Sequence, residues 1–263
     1  MNELDITLIQ TDLAWEDKHT NLSKLTSLIS ELKTTSQVIV LPEMFSTGFT
    51  MNAESLAEHM EGDTINWMRK VSQQKRCILT GSFIASENGQ YFNRLVWMQP
   101  DGKFACYDKR HLFGFAGEDK YYTCGDKRLI VSVNGWKIQL LICYDLRFPV
   151  WSRQQPVSET PEYDALIYVA NWPAARSHAW KSLLVSRAIE NQAYAIGVNR
   201  IGLDGKGHRY DGDSMLINPL GITEYHAPSG EAVHTISLSK EKLDNVRKQF
   251  PFRQDADMFY LAE

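Results

Sequence analysis

No stretch of this chain strings together the run of about 18 apolar residues that a membrane-spanning helix needs, so no membrane partner is expected. Basic residues are outnumbered: 28 Lys and Arg against 32 Asp and Glu give a formal charge of −4. With no basic run to follow a phosphate backbone, nucleic acid is not expected either. The opening residues Met-Asn-Glu-Leu-Asp-Ile-Thr have neither a basic n-region nor an apolar h-region, which predicts no export signal. Cysteine is scarce and scattered. Cys77, Cys106, Cys124 and Cys143 form no CxxC pair and no Cys/His cluster with zinc spacing. That predicts no metal site, and with no export signal it predicts reduced thiols in a cytoplasm. No cofactor signature, internal repeat, linker or low-complexity tract is found, so the expectation is one domain over residues 1–263.

What is present is an ordinary globular balance, 43% hydrophobic and 23% charged over 263 residues. Strand-like and helix-like segments alternate. Asp5–Gln10 reads as a first strand. From Trp15 to Thr34, apolar residues at Trp15, Leu22, Leu25, Leu28, Ile29 and Leu32 mark one helix face. Val38–Leu41 is a short buried strand before Pro42, and Thr64–Gln74 is helical with Asp63 as its expected N-cap. Strands follow at Ile78–Ala85, Phe92–Met98 and Phe104–Tyr107, with a turn at Pro100-Asp101-Gly102. Leu129–Val133 and Trp136–Ile142 flank Asn134-Gly135, a strong hairpin signal. Ala165–Ala170, Ala193–Val198, Ser214–Ile217 and Val233–Ser237 are further strands. Ser177–Asn191 and a last segment from Ser239 to Phe250 are helices. The pattern predicts an α/β fold of mixed sheets covered by helices. The tail Pro251–Glu263 carries Phe252, Met258, Phe259, Tyr260 and Leu261, and is expected to dock on this subunit or another.

Three apolar strands end in residues with chemistry. Leu140-Leu141-Ile142 runs into Cys143-Tyr144-Asp145-Leu146-Arg147-Phe148-Pro149. Ligands in open α/β sheets sit at the carboxyl ends of strands. Cys143 therefore stands where a nucleophile would, with the Tyr144 N–H beside it as an oxyanion donor; the plain alternative is a buried Cys closing a strand. Val38-Ile39-Val40-Leu41-Pro42 leads to Glu43, whose carboxyl, if held dry, suits proton transfer; the alternative is a solvated loop charge. Tyr107-Asp108 leads to Lys109, followed by Arg110-His111-Leu112-Phe113 and, further on, Glu118. Lys109 could stabilise a thiolate and then an oxyanion, with Glu118 orienting it or the substrate; the alternative is a solvated basic turn. Together, a Glu, a Lys and a Cys at three strand ends supply a base, a cation and a nucleophile without His.

These segments, Leu41-Pro42-Glu43-Met44-Phe45-Ser46-Thr47-Gly48-Phe49, Asp108-Lys109-Arg110-His111-Leu112-Phe113 and Cys143-Tyr144-Asp145-Leu146-Arg147-Phe148-Pro149, resemble the nitrilase superfamily of carbon–nitrogen hydrolases. The resemblance runs the length of the chain and takes in Ser186-Arg187-Ala188-Ile189-Glu190-Asn191 and the stretch from Gly212 to Gly221. It implies a four-layer α-β-β-α sandwich, usually dimerised. It implies Glu43 as general base, Lys109 as oxyanion cation, Cys143 as nucleophile and Glu118 as a second active-site glutamate. The Cys-Tyr-Asp-Leu-Arg-Phe-Pro segment is similar to the amidase branch that contains omega-amidases, and lacks the Cys-Trp-Glu usual in true nitrilases. The expected reaction is hydrolysis of a small omega-amide, 2-oxoglutaramate or 2-oxosuccinamate, through a thioester. The alternatives are an N-carbamoyl-amino-acid hydrolase or a silent binding protein on the same fold. A substrate carboxylate calls for a cation: Arg176 is the first candidate and Arg147 the second, the latter with an internal ion pair as its alternative role. Phe115 and Trp172 are candidate pocket walls. A homodimer is expected, with water and a small amide as the other partners.

Overall fold

The computed structural model describes residues 3–33, 35–155 and 160–260. In chain order its elements are β1 (Glu3–Gln10), α1 (Lys18–Ser30), β2 (Val38–Val40), α2 (Ala53–Leu56), α3 (Asp63–Lys75), β3 (Ile78–Glu87), β4 (Gln90–Met98) and β5 (Phe104–Asp108). Next come β6 (Leu129–Val133), β7 (Trp136–Ile142), α4 (Pro149–Ser152), β8 (Ala165–Ala170), α5 (Ser177–Asn191) and β9 (Tyr194–Asn199). The chain continues through β10 (Ile201–Leu203), β11 (Arg209–Asp211), β12 (Ser214–Ile217), β13 (Thr223–Ala227), β14 (Ala232–Ser239) and α6 (Lys240–Gln249).

Two mixed six-stranded sheets form, in the orders β14-β1-β2-β3-β4-β5 and β13-β12-β9-β8-β7-β6, with β10 and β11 as a separate hairpin. The parallel pairs β1·β2, β2·β3, β7·β8 and β8·β9 are those whose connections contain helical segments, as crossover geometry requires. The hairpins supply the antiparallel edges. Asn134 and Gly135 both have positive φ, 49° and 82°, the turn that matches strand twist.

Period-two alternation sorts the first sheet's residues into two cores. Leu8, Val38, Val40, Leu95 and Trp97 point to the second sheet, among Ile138, Leu140 and Ile167. Their neighbours Ile9, Ile39, Leu41, Val96 and Met98 point the other way, to Leu25 and Ile29 of α1 and Ile65, Met68 and Val71 of α3. Helix α5 covers the outer face of the second sheet through Trp180, Leu184 and Ala188. The layers are therefore helix, sheet, sheet, helix, and the strand ends of both sheets can contribute to one site.

The local departures from expectation have physical causes. Helix α1 begins at Lys18, not Trp15, because Asp17 caps it by accepting the Thr20 N–H at 3.0 Å, and Glu16 sits at φ +55°. Thr34 lies outside the described residues. Asp63 is the first residue of α3 rather than its cap; its carboxylate is drawn 2.9 Å from Lys18, and Glu58 accepts the Thr64 N–H instead. Strands β10, β11 and β13 escape sequence reading because two are three residues long and the third, Thr-Glu-Tyr-His-Ala, is a mostly exposed edge with no apolar run.

Candidate active site

Each of the three ionisable strand ends lies where its strand hands over to a loop. Glu43 follows β2 and Pro42 and leads into a tight turn in which Met44 has φ +42° and accepts the Thr47 and Gly48 N–H groups. Lys109 is the first residue after β5, and its N–H still bonds Asn93 O in β4 at 3.0 Å. Cys143 is the first residue after β7 and opens a 3-10 helix, Cys143–Arg147. Its φ of +41° is a left-handed conformation that a non-glycine residue adopts at a cost of about 1–3 kcal/mol.

The structure brings Glu43, Lys109 and Glu118 into one buried cluster, each with no exposed surface. Lys109 Nζ lies 2.9 Å from Glu43 Oε1 and 3.0 and 2.9 Å from the two Glu118 oxygens. Glu118 also accepts the Phe113 N–H at 2.6 Å. The other Glu43 oxygen accepts the Asn171 N–H at 2.7 Å, and Asn93 Nδ2 donates to Glu43 at 2.8 Å and to Glu118 at 3.3 Å. Cys143 Sγ lies 3.9 Å from the Asn171 carbonyl oxygen. The Lys109 ammonium also stands 5.1 Å from the centre of the Phe49 ring.

Two carboxylates against one ammonium in a dry site leave an excess of negative charge, which sets the protonation states. Burial alone would favour a neutral amine, but Glu118 and then Glu43 outweigh it and hold Lys109 protonated well above its ordinary range. Burial, reinforced by Glu43, raises the Glu118 carboxyl against the pull of Lys109. Burial, then the charge of Glu43, pushes the Cys143 thiol well above its usual value, and Lys109 does not undo this. Lys109, read from the sequence as able to stabilise a thiolate, does so here against burial and the Glu43 charge. The thiol rests protonated, and a nucleophilic sulfur requires a partner that takes its proton.

Asp145, fully buried, ties the lysine loop to the cysteine turn. It accepts the His111 N–H at 3.0 Å, the His111 ring nitrogen at 2.8 Å, the Tyr107 hydroxyl at 2.7 Å and the Ile142 N–H at 3.0 Å. The Tyr144 N–H lies in the first turn of the 3-10 helix, where N–H groups have no intrahelical acceptor.

A cavity of about 190 Å³ opens onto Lys109 and Cys143, and is bordered by Phe49, Phe113, Tyr144, Arg147, Asn171, Trp172 and Arg176. It is smaller than drug-sized pockets, so it suits a small ligand. Arg147 stacks over Trp172 at 4.9 Å, and Arg176 over Phe113 at 5.2 Å. Neither arginine has an ion-pair partner among the described residues, and there the internal ion pair weighed for Arg147 is not seen. Trp172 is buried and donates its indole N–H to Arg176 O at 2.8 Å. Phe115 reaches the cavity but is 90% exposed, a rim residue rather than a wall. Glu118 stands behind Lys109, outside the cavity lining.

Sequence reasoning missed Asn93, Asn171, Asp145 and the hairpin residues Asp204, Lys206, His208 and Tyr210, which complete the lining. Asn93 had a visible signal: a buried polar residue inside the apolar run Phe92–Met98. Asn171 follows the apolar strand Ala165–Ala170 as Cys143 follows β7. The hairpin had none. Among the described residues no group of three His, Cys, Asp or Glu side chains is placed to hold a metal. A buried thiol, a carboxylate acceptor and a fixed cation beside one small cavity are equipment for nucleophilic acyl transfer.

Residues 5–248 match the family model described as carbon–nitrogen hydrolase. Omega-amidase YafV of Yersinia enterocolitica is 44% identical over 262 residues, covering 99% of this chain and 100% of that one. The 2-oxoglutaramate amidase of Bacillus subtilis strain 168 is 29% identical over 95% of this chain and 96% of its own. A carbon–nitrogen-hydrolase superfamily protein of Xanthomonas campestris, solved with an arsenic adduct in its active site, superposes with a TM-score of 0.97, 40% identity and complete coverage of both chains.

Proposed function

The chain belongs to the carbon–nitrogen hydrolase family, and on that premise we propose that it cleaves a small omega-amide to an acid and ammonia through a Cys143 thioester. Amide hydrolysis follows from the omega-amidase relatives; the residue roles and the substrate are the proposal. What supports it is one small cavity onto which Lys109 and Cys143 open, with Glu43 held 2.9 Å from the Lys109 ammonium.

In this reading Glu43 takes the thiol proton as Cys143 Sγ attacks the amide carbon. Lys109 and the Tyr144 N–H hold the oxyanion of the tetrahedral intermediate. Glu43 passes the proton to the departing nitrogen, and ammonia leaves a thioester. Water then attacks the thioester carbon, giving a proton to Glu43, and collapse returns that proton to sulfur with release of the acid. Glu118 fixes Lys109 in place and adds the negative charge that keeps it protonated.

The substrate is a short omega-monoamide of a dicarboxylic acid, 2-oxoglutaramate or 2-oxosuccinamate, with its carboxylate held by Arg176 or Arg147, the guanidinium groups that border the cavity. The expected result is a strong wild-type preference for a carboxylate-bearing amide over its neutral analogue of equal length. In one of Arg176→Ala and Arg147→Ala the charged substrate loses about 2–4 kcal/mol in kcat/KM while the neutral one is spared. Equal kcat/KM for both amides in the wild type would move the assignment to an N-carbamoyl-amino-acid or other aliphatic amide.

The protein works as a single-domain subunit of a homodimer, in a cytoplasm. No helix among the described residues is long and apolar enough to cross a membrane. Phe252, Met258 and Tyr260 are 62%, 57% and 86% exposed, so the described tail does not bury these side chains on its own subunit, and docking on a second copy gives them cover. Leu261 lies outside the described residues. Deleting residues 251–263 is expected to shift light-scattering mass from dimer toward monomer or aggregate; a full-length monomer at micromolar concentration removes the idea.

A further inference from the structure

Asn199 ends β9, in register with Ala170 at the end of the parallel strand β8. Its side chain is buried, and each of its two polar atoms makes two hydrogen bonds. Oδ1 accepts the Trp172 N–H at 2.8 Å and the Arg200 N–H at 3.0 Å. Nδ2 donates to the Trp172 carbonyl at 2.9 Å and to the Gly212 carbonyl at 2.7 Å. The side-chain amide thus grips both backbone groups of Trp172. An ionised carboxylate cannot donate, and an aliphatic chain can do neither. Asn199 is itself held in place: fully buried Ser214 accepts its N–H at 3.0 Å from β12.

The segment in this grip faces the chemistry. The Trp172 N–H is one end of the Asn171–Trp172 peptide, and the other end is the Asn171 carbonyl, 3.9 Å from Cys143 Sγ. A peptide unit is planar and stiff, so holding its N–H also sets where its oxygen stands. Asn171 in turn grips the proposed base. Its N–H holds Glu43 Oε2 at 2.7 Å, and its Nδ2 donates to the Glu43 carbonyl. Asn199 lies outside the lining of the cavity at Cys143, yet it stands directly behind the one segment that reaches both Glu43 and Cys143 by these bonds.

Resting on the assignment of Glu43 as the base, we propose that Asn199 is a positioning residue for proton transfer: it fixes the Asn171–Trp172 segment so that the Glu43 carboxylate stays aimed at the Cys143 thiol. It acts through Asn171 and touches no reacting atom. A shift of about 1 Å in a reacting group costs on the order of 100-fold in rate, so the effect of losing Asn199 falls first on kcat.

The test uses two readouts on the purified full-length enzyme, each normalised to folded protein by urea unfolding. One is ammonia release from 2-oxoglutaramate. The other is alkylation of Cys143 by iodoacetamide, in which sulfur displaces iodide and the thiol proton leaves through Glu43. Exposed Cys124 serves as the internal reference for the second. Asn199→Ala removes the grip; Asn199→Asp keeps the shape and remains measurable should Asn199→Ala not fold. Asn199→Ala is expected to lower kcat by about 100-fold, with KM near the wild-type value. Asn199→Asp turns an acceptor oxygen against two carbonyls. Its deficit is expected to narrow as pH falls from about 8 to 6, because a buried carboxyl there regains a proton and donates again. In both variants Cys143 alkylation slows in step with kcat while Cys124 keeps its rate. A purely structural Asn199 lowers stability and leaves folded enzyme with native kcat, which overturns the proposal. A lower kcat with Cys143 alkylated at the wild-type rate overturns it as well. Glu43→Gln is the reference: if it slows neither readout, the base assignment beneath the proposal falls, whatever the Asn199 variants do.

Discussion

Cys143→Ala is expected to abolish ammonia release, lowering kcat by on the order of 10⁶, the scale on which losing a covalent nucleophile acts. The fold is expected to survive, with a stability change of about 1 kcal/mol or less. Two features of the site argue for this. Glu43 does not depend on the thiol for partners, because Lys109, Asn93 Nδ2 and the Asn171 N–H already donate to it. Alanine also keeps a Cβ at φ +41°, so the local strain is neither relieved nor increased. The same arrangement predicts that Glu43→Gln fails despite an intact sulfur, since the thiol rests protonated and Gln cannot take its proton. Ammonia assays on both variants, with denaturant unfolding as control, check the pair. Native turnover in Cys143→Ala would falsify the thioester route; full activity in Glu43→Gln would remove Glu43 as the base.

Lys109→Ala carries the second large effect, on activity and stability together. On its proposed role as the oxyanion cation, its loss is expected to cost about 3 kcal/mol or more in kcat/KM. It also leaves Glu43 and Glu118 facing each other without a counter-charge in a fully buried cluster, a loss of about 3–5 kcal/mol in stability. Since Lys109 is held protonated well above its ordinary range, its contribution is present throughout neutral pH and fades only at pH values above that range. In the variant, folding at neutral pH requires at least one carboxyl to bind a proton, so its stability is expected to fall more steeply than that of the wild type as pH rises from about 5 to 8. Adding Glu118→Gln removes one buried charge. It is expected to recover much of the stability and none of the activity. Lys109→Arg is not expected to rescue turnover, because a planar fork does not fit a pocket shaped for an ammonium. Urea unfolding at two pH values and kcat/KM for the three proteins separate the outcomes. A stability recovery accompanied by an activity recovery would assign Lys109 a purely structural role.

The strand ends were legible in the sequence because each is written locally. An apolar run of strand length that stops at a single ionisable residue identifies both the element and the residue it delivers, as at Val38-Ile39-Val40 before Glu43 and Leu140-Leu141-Ile142 before Cys143. The β6–β7 hairpin was legible for the same reason, since Asn134-Gly135 encodes its own turn. Asp63 was misjudged because capping is a competition: a carboxylate that can cap can also pair, and Lys18, 45 positions away, won it.

By itself, then, the sequence determined the α/β class, most strands and their faces, and the three residues on which the proposed chemistry turns. All depend on periodicities and neighbours within a few positions. Tertiary structure decided what depends on several distant segments meeting. One such matter is the protonation of the cysteine: Lys109 alone suggests a thiolate, but burial, and then the charge of Glu43, outweighs it. Another is the second layer of support: Asn93 and Asn171 reach Glu43 from 50 and 128 positions away. The last is the cavity rim, where a hairpin of two three-residue strands with no apolar pattern becomes a fixed wall only because Arg200, Asp12 and Trp15 hold it. Charge and burial act through space, and no window along the chain contains them.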